Sequence, residues 1–198
     1  PNLEDRWFFV PGIMANVIFI STMMLTAMMI VRERELGTLE RLMVTPIARL
    51  EFLVAKMLPV ACVGLLDALL VTAVATLWFE VPFLGSVTAL VASTLVLLLS
   101  TQGMGLLLST YSATQQQAML SASFVIMPMF ILSGFAFPIH NMPQPLQWLS
   151  LIDPLRYYLV INRDLFLQGV GLGAHPFEMW MMTLLGLSAL ALSVPRLR

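Results

Sequence analysis

RERELGTLERLMVTPIARLEFLVAK, residues Arg32–Lys56, is a charged island between two apolar stretches. It holds nine of the chain's 21 charged side chains, whereas Val10–Val31 before it carries none. After it the chain turns apolar again almost to its end. Such an alternation reads as helices that cross a membrane, with one large structured loop on one side. That loop is the natural place for a soluble partner to grip, and the function is expected in what the loop touches.

Composition supports this. The chain of 198 residues is 59% hydrophobic and 11% charged, with a mean hydropathy of +0.90. Soluble domains run near 45–50% apolar and about 25% charged, and lipid, unlike a small soluble core, accepts the surplus apolar surface. A net charge of -1 gives no general affinity for nucleic acid. The single Cys62 excludes a disulfide framework and a cysteine metal cluster. The chain starts at Pro1 without a basic leader and cleavage site. It reads as an internal segment of a longer gene.

A span needs about 20 apolar residues. Five stretches qualify, at about 10–31, 57–79, 87–108, 118–137 and 177–194. The expected fold is therefore an all-α polytopic membrane domain over residues 1–198. Lys and Arg collect on the cytoplasmic side. Five spans put Arg32, Arg34, Arg41, Arg49, Lys56, Arg196 and Arg198 on one side and Arg6, Arg156 and Arg163 on the other. The C-terminus is expected in the cytoplasm and the N-terminus outside, with at least one further span upstream.

Within the island, Arg32–Met43 fits an amphipathic helix with Leu36, Leu39 and Met43 on one face. Glu33, Arg34, Gly37, Glu40 and Arg41 lie opposite. Thr45-Pro46 interrupts it, Thr45 as cap and Pro46 as first-turn residue of a new helix. That helix carries Leu50, Leu53, Val54 and Met57 as its apolar stripe. An interfacial helix on lipid headgroups would be mostly basic. Alternating Arg and Glu also suit pairing with a protein, and residue chemistry alone leaves the two readings even.

The same string resembles the cytoplasmic segment of type 2 ABC exporter permeases. A second stretch, FILSGFAFPIHNMPQPLQWLSLIDPLRYYLVINRDLFLQG at Phe130–Gly169, is similar to that family's external segment. There a span ends in a Ser-Gly-x-x-x-Pro turn and short re-entrant helices precede the last span. The resemblance covers nearly the whole chain. It implies a coupling helix, here Arg32, Glu33, Arg34, Glu35, Gly37, Thr38, Glu40, Arg41, Thr45 and Pro46, that docks on a separate ABC ATPase. It implies an external lid built on Ser133, Gly134, Pro138, Pro143, Pro154, Arg156, Tyr157 and Arg163. It also implies a second permease half, a bacterial inner-membrane location amid membrane lipid, and ATP and magnesium held by the ATPase, with no cofactor on this chain. The family's additional N-terminal span and external domain are expected to be absent from this chain. The alternative is a membrane sensor or assembly module whose loop binds a regulator.

The residues of the second stretch bear their own reading. Its prolines break it into short pieces. Leu155–Leu167 suits a helix that turns Leu155, Tyr158, Leu159 and Phe166 toward apolar surroundings. Trp148, Tyr157 and Tyr158 suit a membrane–water interface. Asp153 is placed to pair with Arg156 or Arg163, and Gly134 marks the bend that ends the fourth span.

Asp67 is the one ionisable residue deep in a span, and such residues are functional candidates by default. A packing role, with the carboxylate bonded to a neighbour's Ser or Thr hydroxyl, is preferred here. Gly64 with Ala68, and Thr101 with Gly105, are small-xxx-small pairs suited to close helix contact. His140 and His175 read as isolated, and no metal site is expected. There is no G-x-x-x-x-G-K-[ST] motif, and the only lysine follows Ala55. The chain is not expected to be an enzyme by itself.

Overall fold

The computed structural model describes residues 5–37 and 49–196. Among the described residues there are seven α-helices and no strand. They are α1 (Asp5–Glu35), α2 (Arg49–Leu77), α3 (Val87–Tyr111), α4 (Gln115–Leu132), α5 (Gln144–Leu149), α6 (Pro154–Leu167) and α7 (Pro176–Ser193). Five of them, α1, α2, α3, α4 and α7, are long and apolar enough to cross a membrane. The all-α polytopic reading therefore stands, with small shifts of boundary. The fourth span ends at Leu132 and not at Phe137.

Helix ends follow local chemistry. Ser86 caps α3 by accepting the Ala89 N–H, and Thr114 caps α4 by accepting the Gln117 N–H. Pro154 and Pro176 occupy the first turns of α6 and α7, where a missing N–H costs nothing. Gly37 follows α1 at φ 67, and Gly134 follows α4 at φ 84, left-handed positions that favour glycine.

The centre of the bundle is α3. Of its apolar stretch 61% is buried, against 17% for α2. Hence α2 is peripheral, and its exposed Leu58, Leu66, Leu70 and Leu77 face lipid or another chain. Small residues let the helices touch. A Cβ on Gly105 would stand 2.8 Å from Thr26 Cβ, and one on Gly64 would stand 2.4 Å from Leu98 Cδ2. Both expected small-residue pairs thus lie at real contacts, with Ala68 buried beside them. Gly103 and Gly186 bring α3 and α7 nearly backbone to backbone.

The short α6 is not a surface element. Leu155, Tyr158 and Phe166 are fully buried, Leu159 nearly so. The Tyr158 hydroxyl is 2.9 Å from Thr94 Oγ1, two turns into α3, while the Leu84 N–H donates to the Phe166 carbonyl before α3 begins. The helix thus starts within the bundle and climbs back toward its end. Asn162 Nδ2 also donates to the Pro11 carbonyl of α1 at 2.8 Å.

The α3–α7 contact yields a prediction. A Cβ at Gly186 would lie 2.9 Å from the Ser100 backbone nitrogen and 3.0 Å from the Leu99 carbonyl carbon. Replacing Gly in a helix gains up to about 1 kcal/mol of propensity, but forced overpacking against backbone costs about 1–3 kcal/mol. Gly186→Val should therefore lower the thermal midpoint of the detergent-purified protein. Gly171→Ala, where a Cβ meets nothing within 4 Å, should leave it unchanged.

Candidate functional site

The charged island begins inside α1. Arg32–Glu35 form the helix's last turn, and the chain turns at Leu36 and Gly37. A single amphipathic helix over Arg32–Met43 is therefore not formed, because Gly37 at φ 67 breaks it. Thr38, Glu40, Arg41, Thr45 and Pro46 lie outside the described residues, as does the side chain of Leu50. In the expected stripe after Pro46, Leu53 is buried and Met57 partly so, but Val54 is 54% exposed.

Three residues of that last turn reach inward to three different elements. Glu33 forms an ion pair with Lys56 of α2. Arg34 Nη1 donates to the Ser112 carbonyl just after α3, at 3.1 Å. Glu35 accepts the Gln115 backbone N–H at 2.9 Å and the Gln115 side-chain amide, so it caps α4 from outside. Val31 N–H adds a bond to Ser109 Oγ of α3 at 3.3 Å. Beneath these contacts Ile30, Leu53 and Leu106 form a small apolar cluster with Phe52, Leu190 and Val194. Arg32 and Gly37 are exposed. The turn expected to meet a partner thus spends much of its charge within the chain, tying α1 to α2, α3 and α4.

At the opposite end, Ser133 ends α4, with its hydroxyl donating to the Phe130 carbonyl and accepting the Phe135 N–H. Gly134 makes the bend, and a Cβ there would lie 2.9 Å from Ile139 Cγ1. Pro138 and Pro143 precede a 3-10 turn and α5. Arg156 does not pair with Asp153. It donates to Ser150 Oγ at 2.6 Å and lies 5.9 Å from the Tyr157 ring centre. Asp153 makes no ion pair with Arg163 either, and instead caps α6, accepting the Leu155 N–H at 2.9 Å. A cap bond to a backbone N–H is shorter-range and satisfies a helix terminus, which explains the preference. Arg163 is partly buried on α6.

Two expectations for this end need correction. Tyr157 and Tyr158 are buried and are not interface anchors; Tyr157 donates to the Leu151 carbonyl at 3.0 Å. Trp148 alone of the three is largely exposed, at 71%. Nor is His175 isolated. It lies 3.2 Å from Asp164 of α6 and 3.7 Å from Glu178 of α7.

Asp67 lies midway along α2, where its carboxylate accepts a hydrogen bond from Ser21 of α1 at 3.0 Å. That is the hydroxyl partner expected of a packing carboxylate. Between α4 and α5 runs an apolar groove of about 520 Å³, lined by Leu120, Phe124, Met127, Ile131, Leu146 and Leu149.

Asp153 carries a pH prediction. Burial pushes its carboxyl up to about 8, against the Leu155 N–H and the Arg156 charge, which pull it down. One carboxyl oxygen is buried without a hydrogen-bond partner. Folding therefore takes up a proton between 3.8, the ordinary value, and about 8. Stability is then greatest at the acid end of that window and falls as pH rises through it. Asn caps as well as Asp, so Asp153→Asn should keep the helix start and flatten this slope. Thermal midpoints measured across the window for both proteins check it.

The sequence profile of the ABC-2 type transporter family matches residues 3–167. The chain is 34% identical over 180 residues to the Escherichia coli protein named probable multidrug ABC transporter permease YbhR, covering 91% of this chain and 49% of that one. It is 38% identical over 172 residues to the probable multidrug ABC transporter permease YbhS of the same organism, covering 85% and 45%. With the E. coli inner membrane transport permease YhhJ it shares 32% over 178 residues, covering 86% and 46%. The chain spans about half the length of these curated relatives. With a family profile matched over residues 3–167 and five helices long and apolar enough to cross a membrane, the chain belongs to the ABC-2 type transporter family and is a multi-pass membrane protein.

Proposed function

We propose that this chain is the membrane-spanning part of an ATP-driven exporter permease of a bacterial inner membrane, working with a second permease half and a separate ABC ATPase. The observation that carries the reading is the three-way contact at the end of α1. Glu33, Arg34 and Glu35 join the start of the island to α2, to the end of α3 and to the start of α4. A pull on the segment that follows Gly37 would reach all three helices at once. Thr38, Glu40, Arg41, Thr45 and Pro46 are then the residues left to meet the ATPase, which holds ATP and magnesium.

The groove along α4 and α5 supports a path for apolar or amphiphilic substrates beside a second half, since almost all its lining is apolar. The names of YbhR and YbhS speak of multidrug transport, and a substrate of that broad kind fits such a lining. Gly134, Pro138, Pro143, Pro154 and α6 would close the path at the far end, with Ser133, Arg156, Tyr157 and Arg163 holding the closure in shape. The bias of basic residues puts the island and the C-terminus in the cytoplasm.

The test uses the full-length protein with a candidate ABC ATPase that copurifies with it. Single cysteines at Thr38 and Gln144, in a Cys62→Ser background, should react with an impermeant reagent from opposite faces of the membrane. Glu40→Arg should leave insertion intact and abolish ATP-driven export from vesicles, because it sets like charge against the partner. Labelling from one face, or export at the parental level in Glu40→Arg, would contradict the reading. Absence of both ATPase binding and export in the parent protein would favour the sensor or assembly module.

A further inference from the structure

Gln102 is the one buried amide of α3, 2% exposed in the middle of a bundle of apolar helices. A buried amide in such a place must be answered by hydrogen bonds or it destabilises the fold. Its neighbours require one orientation, in which Nε2 donates to the Met57 carbonyl at 3.2 Å and Oε1 accepts the Ala61 N–H at 3.1 Å. Both groups belong to the backbone of α2, which normally bonds to itself.

The pair straddles Pro59, which lies inside α2. Proline has no N–H, so the Ala55 carbonyl loses its helical donor, and the ring pushes against the preceding turn. Kinks in long helices occur at such places. Gln102 thus grips α2 across the weak point in its own ladder of hydrogen bonds.

The main core runs past this level, with Ala27 buried in it and Met104 and Leu108 packed against it. The main core gathers Leu97, Leu98 and Ala68. The smaller cluster of Ile30, Leu53 and Leu106 lies at the charged end and is separate from it. Within the bundle runs a polar layer, in which Thr22 Oγ1 donates to Thr101 Oγ1 at 3.1 Å and Thr26 packs beside Gly105. Gln102 stands in this layer, next to Thr101.

We propose that Gln102 is a positioning residue that latches α2 across a joint at Pro59, so that Arg49–Lys56 moves together with the rest of α2 and with α3 and does not bend away at Pro59. With the latch made, displacement of the charged end is passed to α3 through an amide and not lost as bending at Pro59. The inference rests on the coupling role proposed above only for its purpose. The latch itself is a property of the chain and is tested without partner or transport.

The experiment measures spin-label distances in the purified, lipid-reconstituted full-length protein, with Cys62→Ser. One label pair, at Val54 and Leu70 on either side of Pro59 in α2, spans the joint and uses exposed sites. A second pair, at Leu70 and Thr88, lies beyond the joint on exposed sites and serves as control. The parent should give a single narrow distribution for each pair. Gln102→Met, which keeps size and removes the amide, should broaden the Val54–Leu70 distribution and leave the control narrow. Adding Pro59→Ala restores the missing N–H, so the double variant should regain the narrow distribution. If Gln102→Met fails to accumulate but the double variant folds, the latch is likewise supported. No broadening, equal broadening of both pairs, or failure of Pro59→Ala to rescue would overturn it and make Gln102 an ordinary packing residue.

Discussion

Glu33, Arg34 and Glu35 leave the last turn of α1 in three directions, and each finds its partner on a different helix or helix end. The rest of the charged end depends on this arrangement. Successive residues on a helix point about 100° apart, which is why three neighbours in sequence can serve three neighbours in space. Each contact is modest. A partly exposed ion pair such as Glu33–Lys56 contributes about 1 kcal/mol or less, and a helix cap about 1 kcal/mol. Their value lies in connection more than in stability, since they bind four helix ends into one plate above a small apolar cluster.

Beyond that plate, the bundle is held by close approach. Gly103, Gly105, Gly186 and Gly64 remove the side chains that would keep helices apart, and dispersion between near backbones replaces the hydrophobic drive that lipid cannot supply. Polar side chains in the bundle are then free to bridge helices. Ser100 donates to the Met182 carbonyl, Asn162 to the Pro11 carbonyl, and Ser21 to Asp67. The re-entry of α6 follows the same logic. Its buried Asp153 caps its own helix start through one oxygen and Tyr158 meets Thr94, so both side chains find a hydrogen bond within the bundle.

The apolar runs showed the five spans directly, because a run of that length has no other use in a chain so poor in charge. The helix α6 was legible over Leu155–Leu167 from its apolar positions, but Asp153, read as an ion-pair partner, turned out to be the cap that starts it at Pro154. The small-residue pairs pointed to real contacts for the same local reason. What escaped was whatever depends on a distant partner. Glu35 and Gln115 are 80 positions apart, and nothing near either names the other. The same holds for Gln102 and the backbone of α2. Tyr157 and Tyr158 were misplaced at the interface because aromatic composition cannot tell a half-exposed belt from a helix that folds back inside. The break at Gly37 had a signal, a lone glycine near a helix end, which the regular spacing of Leu36, Leu39 and Met43 outweighed.

The central claim is that the end of α1 is a brace within the chain. Hydrogen exchange at the start of α4 tests it most directly, because Glu35 accepts the Gln115 N–H from another helix. Glu35→Ala should speed exchange of the Gln115 and Gln117 amides by roughly five- to tenfold, the equivalent of about 1 kcal/mol for a lost cap. Amides in the middle of α4 should be unaffected. Exchange at the parental rate in Glu35→Ala would contradict the account and leave Glu35 a solvated charge with no hold on α4.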